Sequence, residues 1–346
     1  MNKLKAFAAY CLNDSVRMKS SSGGIFSLLA ETVIKNNGVV YGVAMDKTCT
    51  YAEYRCATNK DELEALQGSK YLQARIGNTY NEIAKRLKNG EKVLFSGVGC
   101  QINALKTFLG KEYDNLLCVD VICHGVPSPA LWRSYVCYME DQMGGKLSHV
   151  NFRCKQEGWK EFGMDEKSSL KQIFVPKSKD PYMQLFLSDY CLRPSCYSCK
   201  AKALRLADIT LGDFWGIEKI APKMNDNRGC SLVILRTLKG EDDFNKIKKY
   251  VKYAPVSYDV AAQNNPAELR SVFRPKQRKT FFSDYRIMNF DKLQRKYLAV
   301  PIKDRIKLLI KKQLKAISTW GGEDRAKAEI EKRFDYGVFM CFKPHR

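Results

Sequence analysis

Two periodicities share the chain. Short apolar runs such as "LKAFAAYC", "GVVYGVAMD", "KVLFSG" and "NLLCVDVIC" predict strands. Segments with apolar residues at helical spacing lie between them: "GIFSLLAETVIKNNG" closing at Gly38, "NTYNEIAKRLKNG" closing at Gly90, "CQINALKTFLG" and "SPALWRSYVCYMEDQMGG". This alternation predicts an α/β fold with a largely parallel sheet, whose ligand crevices lie beyond the carboxyl ends of the strands. From Leu147 onward the pattern is richer in strands and α+β in part: "SHVNFRCK", "KQIFVPKS", "ADITLGDF" and "CSLVILRT", with helices "DPYMQLFLSDYCL" and "EDDFNKIKKYV" interleaved. Past about Asn264 the chain turns basic and helical. In "PIKDRIKLLIKKQLKAISTW" the residues Ile302, Ile306, Leu309, Ile310, Ile317 and Trp320 share a face, which predicts a helix docked on the core with its lysines in water rather than one lying on a membrane.

Composition narrows the class. The 346 residues are 45% hydrophobic, ample for a large core, and no apolar run reaches the 18 or so residues of a membrane span. The opening "MNKLKAFAAYCLNDS" does not read as a signal peptide, so a cytoplasmic location is expected. With 59 Lys and Arg against 37 Asp and Glu, the net charge is +22. From Ser271 to Arg346 there are 20 basic and 8 acidic residues, so that stretch carries +12. The excess implies an anionic partner: nucleic acid, a membrane surface or an acidic protein. No nucleic-acid recognition motif accompanies it.

Thirteen cysteines, an odd number spread from Cys11 to Cys341, do not form a secreted disulfide framework. Most, like Cys118 in "LLCVDV", read as small buried hydrophobes. Cys100 follows the strand "KVLFSG" and opens a helix, where the dipole and free N–H groups lower a thiol's pKa. Cys123 ends "LLCVDVIC", a comparable strand-end position. Cys196 and Cys199 form a C-x-x-C on the loop "RPSCYSCK". Folded over one site, these four cysteines would make four soft ligands, suited equally to a tetrahedral zinc or a 4Fe–4S cluster; Cys100 and Cys123 read equally as buried small residues. Cys191, five residues before Cys196, is a rival ligand whose helix-end position also suits packing.

"KSSSGGIFSLLA" places Ser20, Ser21, Ser22, Gly23 and Gly24 before a helix, offering N–H groups and hydroxyls to a phosphate or a flavin edge. Such a serine–glycine run also simply starts helices. Ser69, Lys70 and Tyr71 in "GSKY" offer a cation and a stacking surface, or a plain surface turn. His124, next to Cys123, is placed to relay protons beside a redox centre or to bond within a turn. In "DITLGDFWG", Asp208, Asp213 and Trp215 surround a glycine and could cap helices or touch a ribose.

Taken together, "SSSGGIFSLLAETVIKNNGVVYGVAMD", "GSKYLQARIG", "VLFSGVGCQINALKTFL", "DVICHGVPSP" and "LRPSCYSCKAKALRLADITLGDFWGI" resemble the β subunit of coenzyme F420 hydrogenase/dehydrogenase, a flavin and iron–sulfur protein. They run in family order from about Lys19 to Thr237. The resemblance implies FAD on the "SSSGG" and "GSKY" segments and a 4Fe–4S cluster on Cys100, Cys123, Cys196 and Cys199. It implies a flavin-binding part over 1–95, a cysteine-bearing part over 96–262 and a basic helical extension over 263–346. The C-x-x-C-x-x-C-x-x-x-C run of a two-cluster ferredoxin module, carried by many relatives, does not occur in this sequence. The wording of "SSSGG" and "CLRPSCYSC" resembles a bacterial branch associated with surface-polysaccharide gene sets, so the deazaflavin need not be the substrate.

The expected function is an oxidoreductase passing electrons between a small organic or deazaflavin-like substrate and a ferredoxin-like carrier or ferredoxin-domain subunit. Two readings from other classes compete with it: a non-redox, zinc-stabilised four-cysteine protein, and a basic nucleic-acid-binding protein.

Overall fold

A computed structural model describes residues 4–299; the expected amphipathic helix beyond Pro301 lies outside them. Residues up to Tyr297 form one compact unit. Its strands are β1 (Lys5–Cys11), β2 (Val39–Met45), β3 (Ala52–Ala57), β4 (Ala74–Arg75), β5 (Val93–Val98), β6 (Leu116–Val121), β7 (Leu147–Cys154), β8 (Gly163–Ser168), β9 (Gln172–Pro176), β10 (Ile209–Asp213), β11 (Ser231–Leu235) and β12 (Val251–Val256). Nine of them form one sheet in the order β12-β1-β11-β10-β6-β5-β2-β3-β4, and β7-β8-β9 form a second, antiparallel sheet.

The expected parallel sheet is present at the centre, where β2, β5, β6 and β10 run in one direction. Both flanks are antiparallel, with β11, β1 and β12 on one side and β3 on the other, so the α/β sheet is mixed. Side chains alternate across it. Val40, Leu94, Leu117 and Val119 pack beneath helices Ile25–Lys35 and Leu238–Ile247; Tyr41, Phe95, Leu116 and Cys118 face helices Thr79–Lys88 and Gly99–Leu109. Each fully buried side chain of this size contributes about 2 kcal/mol. Cys118 is one of them, as its apolar setting predicts, and burial pushes its thiol up to about 12.

Strands β3, β4, β8 and β12 are not among those the pattern predicts. β12 follows helix Leu238–Ile247 after a single 3-10 turn: of the "KKYV" that continues the helical period, Lys248–Tyr250 form that turn and Val251 starts the strand. β8 carries "GMDEKS", too polar to announce itself; its Glu166 is fully buried in the second sheet. That sheet packs through Phe152 against Trp132 of helix Pro129–Met143, which in turn packs on Tyr182 of helix Pro181–Leu187, and Trp132 Nε1 donates to the carbonyl of Cys49 at 2.8 Å. Among the described residues no helix is long and apolar enough to cross a membrane.

Candidate functional site

A cavity of about 1300 Å³ opens where the parallel strands end. Its walls include Gly97 and Val98 of β5, Val121 to Cys123 after β6, and Leu211 to Asp213 of β10. Carboxyl ends of adjacent parallel strands leave such a crevice because the following connections diverge. All four cysteines of the proposed set line it, as do Ser20, Ser21, Ser22, Gly24, Ser69, Lys70, Tyr71 and His124.

The serine side is held from below. Ser20 Oγ donates to the Val16 carbonyl at 2.8 Å and Ser22 Oγ to the Cys230 carbonyl at 2.9 Å. Ser21 Oγ accepts the Ser69 N–H at 2.7 Å and lies 2.9 Å from Ser69 Oγ, joining two segments that stand 48 positions apart in sequence. Gly23 sits behind the lining: its N–H donates to Ser231 Oγ at 2.9 Å, and a Cβ there would come within 2.8 Å of Ser231 N. Its role is to let the loop press against the sheet. Gly24, at φ +85°, turns the chain into helix Ile25–Lys35, whose first turn faces the cavity.

Two buried cations tie this loop down, and neither stands out in the sequence. Arg153 Nη2 donates to Asp213 Oδ1 at 2.8 Å and to the Ser21 carbonyl at 3.1 Å, while Nη1 donates to the Tyr71 hydroxyl at 3.1 Å. Burial opposes its charge, but Asp213 and Tyr71 outweigh that and its pKa is raised. Lys155 Nζ donates to the carbonyls of Arg17, Ser22 and Arg228 at 2.7–2.9 Å; burial, then Arg153, push its pKa down to about 7. The available signal was "RCK" at the close of β7, which ends at Cys154 with Lys155 just beyond it: two cations stand two positions apart, the spacing of residues on one face of a strand. Half-buried Lys70 donates to the carbonyls of Ala65 and Gln67 at 2.9 and 2.6 Å, and desolvation lowers it to about 7. Tyr71 packs on Phe186 and Phe152. Asp208 is buried away from the cavity, accepting from Cys118 N and Thr237 Oγ1, each at 2.8 Å. Trp215 lines the cavity and stacks on Trp159 with centroids 5.0 Å apart.

The cysteine side comes from three segments. Cys100 lies in the first turn of helix Gly99–Leu109, Cys123 follows β6, and Cys196 and Cys199 sit on and just after the 3-10 turn Pro194–Ser198. An isolated bridge between Pro127 and Leu192, with Arg193 N donating to the Val126 carbonyl at 2.8 Å, fastens the Cys196 loop to the segment after Cys123. Lys202 Nζ donates to the Cys123 carbonyl at 2.7 Å. All four thiols are free. Enclosure raises the thiols of Cys100, Cys123 and Cys196, with Cys123 at about 12, and neighbouring thiols add to it: Cys199 and Cys196 on Cys100, Cys196 and Cys100 on Cys123. For Cys100 this reverses the lowering expected at a helix start; desolvation outweighs the dipole. Among the described residues no three His, Cys, Asp or Glu side chains are grouped as around a single metal ion.

Cys191 lies elsewhere. It is fully buried, does not line the cavity, and its Sγ donates to the Leu185 carbonyl at 3.7 Å. His124 lines the cavity with Nε2 2.6 Å from Asp189 Oδ1, its ring edge-on to Phe186.

Two family models, describing the N-terminal and the C-terminal parts of the coenzyme F420 hydrogenase/dehydrogenase beta chain, match residues 6–78 and 90–258 respectively. No curated protein matches the chain. Among solved structures, a chain of the xenon-derivatized F420-reducing [NiFe] hydrogenase complex from Methanosarcina barkeri is similar in fold, with a TM-score of 0.52 and 16% identity, covering 83% of this chain and 94% of that one.

Proposed function

Because the chain belongs to the coenzyme F420 hydrogenase/dehydrogenase β-subunit family, a family of redox-enzyme subunits, we propose that it is an FAD- and 4Fe–4S-dependent oxidoreductase. It passes electrons between a small organic or deazaflavin-like substrate and a ferredoxin-type partner. The observation that carries this reading is the joining of two donor sets on one cavity: four free thiols on one side, and a hydroxyl- and N–H-rich loop at a helix start on the other. The donors fit the groups. Four free thiols on one wall supply the thiolates that a 4Fe–4S cluster takes, one to each iron corner; they would serve a zinc ion equally well, and the family to which the chain belongs favours the cluster.

When bound, the flavin supplies two-electron or hydride exchange and the cluster one-electron passage. Cys100, Cys123, Cys196 and Cys199 would hold the cluster, each thiol giving up its proton on binding. Ser20, Ser21, Ser22, Gly24, Ser69, Lys70 and Tyr71 would hold the flavin, with the first turn of helix Ile25–Lys35 facing its phosphates. His124, oriented by Asp189, is placed to hold or release a proton at the cavity wall.

Anaerobic purification tests the proposal. The expected product is a brown protein with flavin absorbance, about four irons and matching sulfide per chain. A colourless protein with one zinc overturns it.

A further inference from the structure

The segment 270–279, "RSVFRPKQRK", holds five Lys or Arg and no acidic residue. It lies directly on the cysteine loop. Ser271 Oγ accepts the Cys199 N–H at 2.9 Å, and Arg278 Nη2 donates to the Leu192 carbonyl at 2.8 Å while Nε donates to the Tyr197 hydroxyl at 3.2 Å. Arg270, Arg274, Lys276 and Lys279 are exposed, as are Arg193 and Lys200 beside Cys196 and Cys199. Arg205 and Arg236, by contrast, are enclosed and already neutralised: Arg205 pairs with Asp120 at 3.0 Å and with Glu268 at 2.9 Å, and Arg236 also pairs with Glu268. In the midst of the outer cations Phe273 is 83% exposed and Leu269 53% exposed. A large aromatic held in water at the centre of a charged rim is the arrangement of a protein-docking anchor.

We propose that this loop, with Arg193 and Lys200, is the docking surface for a small acidic iron–sulfur electron carrier, Phe273 being its apolar anchor. The inference rests on the cluster reading above and adds where the electron crosses. One electron leaves the reduced carrier, which is oxidised, and enters the cluster held in part by Cys199, which is reduced; no bond or proton changes hands. Charge favours this occupant. Six exposed cations gathered around one electron site steer a carboxylate-covered partner and orient it as it arrives.

The test uses the full-length holoprotein and an acidic two-cluster ferredoxin reduced beforehand, with cluster reduction followed by stopped flow across a salt series. For the parent, the bimolecular rate should fall steeply with ionic strength. With Arg270→Glu, Arg274→Glu and Lys276→Glu combined, the low-salt rate should drop about tenfold or more and its salt dependence flatten. Phe273→Ala should slow transfer at every salt concentration. Iron, sulfide, flavin and the rate with dithionite should match the parent in both variants, which excludes misfolding as the cause. A charge-reversed variant with an intact cluster and a low-salt rate within twofold of the parent overturns this inference alone. So does duplex DNA binding at near-physiological salt that the variant loses while its carrier rate is unchanged. A parent without iron overturns the cofactor reading and this inference with it.

Discussion

The two sides of the cavity rise from the same sheet and differ in how their polar atoms are engaged. On the serine side each hydroxyl, the guanidinium of Arg153 and the ammonium of Lys155 has a named protein partner. On the cysteine side the loop backbone is fastened by the Pro127–Leu192 bridge, but the four thiols stand free, and burial raises those of Cys100, Cys123 and Cys196. The serine side is preorganised, so its geometry belongs to the fold. The cysteine side has a fixed backbone and uncommitted side chains, so its final geometry depends on what it holds. Losses on the first side should therefore appear as stability, and on the second as cofactor content.

The largest effect is expected from Arg153→Ala. It leaves Asp213 with Trp159 Nε1 as its remaining bond and strips a donor from the Ser21 carbonyl. Removing one partner of a buried ion pair costs about 3–5 kcal/mol. Urea unfolding should show that loss, and the variant should retain little flavin; a parent-like midpoint would break the contrast at its strongest point.

Lys155→Met should act more gently and through pH. The native ammonium titrates near 7, far below an ordinary lysine, because it is buried. Below pH 7 both native and unfolded chains hold the proton and the full cost of burying it is present. Between 7 and the ordinary lysine value only the unfolded chain holds it, so native stability rises with pH, by at most about 1.4 kcal/mol per pH unit for one proton. Unfolding at pH 7 and pH 9 should show this slope in the parent and a flatter one in Lys155→Met. Equal slopes would place the buried charge elsewhere.

The smallest stability effect belongs to the other side. Cys199→Ser in iron-free protein should leave stability within about 0.5 kcal/mol, while anaerobically prepared protein loses most of its iron and keeps its flavin. Unchanged iron content would move the ligand set away from Cys199.

Much of this arrangement was legible in sequence for a physical reason. The central parallel strands are apolar runs between helices, so their parallel character and the crevice beyond their ends follow from local pattern, and with them the positions of Cys100 and Cys123. The Cys196–Cys199 loop reaches that crevice through the Pro127–Leu192 bridge, a pairing 65 positions apart that no local pattern encodes. Arg153 and Lys155 escaped notice because charged residues ending a strand are ordinarily solvated; only their partners 60 to 138 positions away make them structural. The raised thiol of Cys100 shows the same limit. A helix start is visible in sequence, whereas the enclosure that outweighs it is tertiary.

The place of β1 in the sheet bears on how the chain is made. It lies between β11 and β12, with Phe7 opposite both Val233 and Pro255. The interval from the end of β1 to the start of β11 is 220 residues (231 − 11). At synthesis rates of about 5–20 residues per second, β1 waits roughly ten to forty-five seconds for its partners. The serine loop follows β1 after one short helix, Asp14–Lys19, and rests on Ser231 and Cys230, so it cannot take its shape before that strand arrives. The cavity is thus a late product of translation, and an apolar strand must be kept from other edges until its own sheet exists.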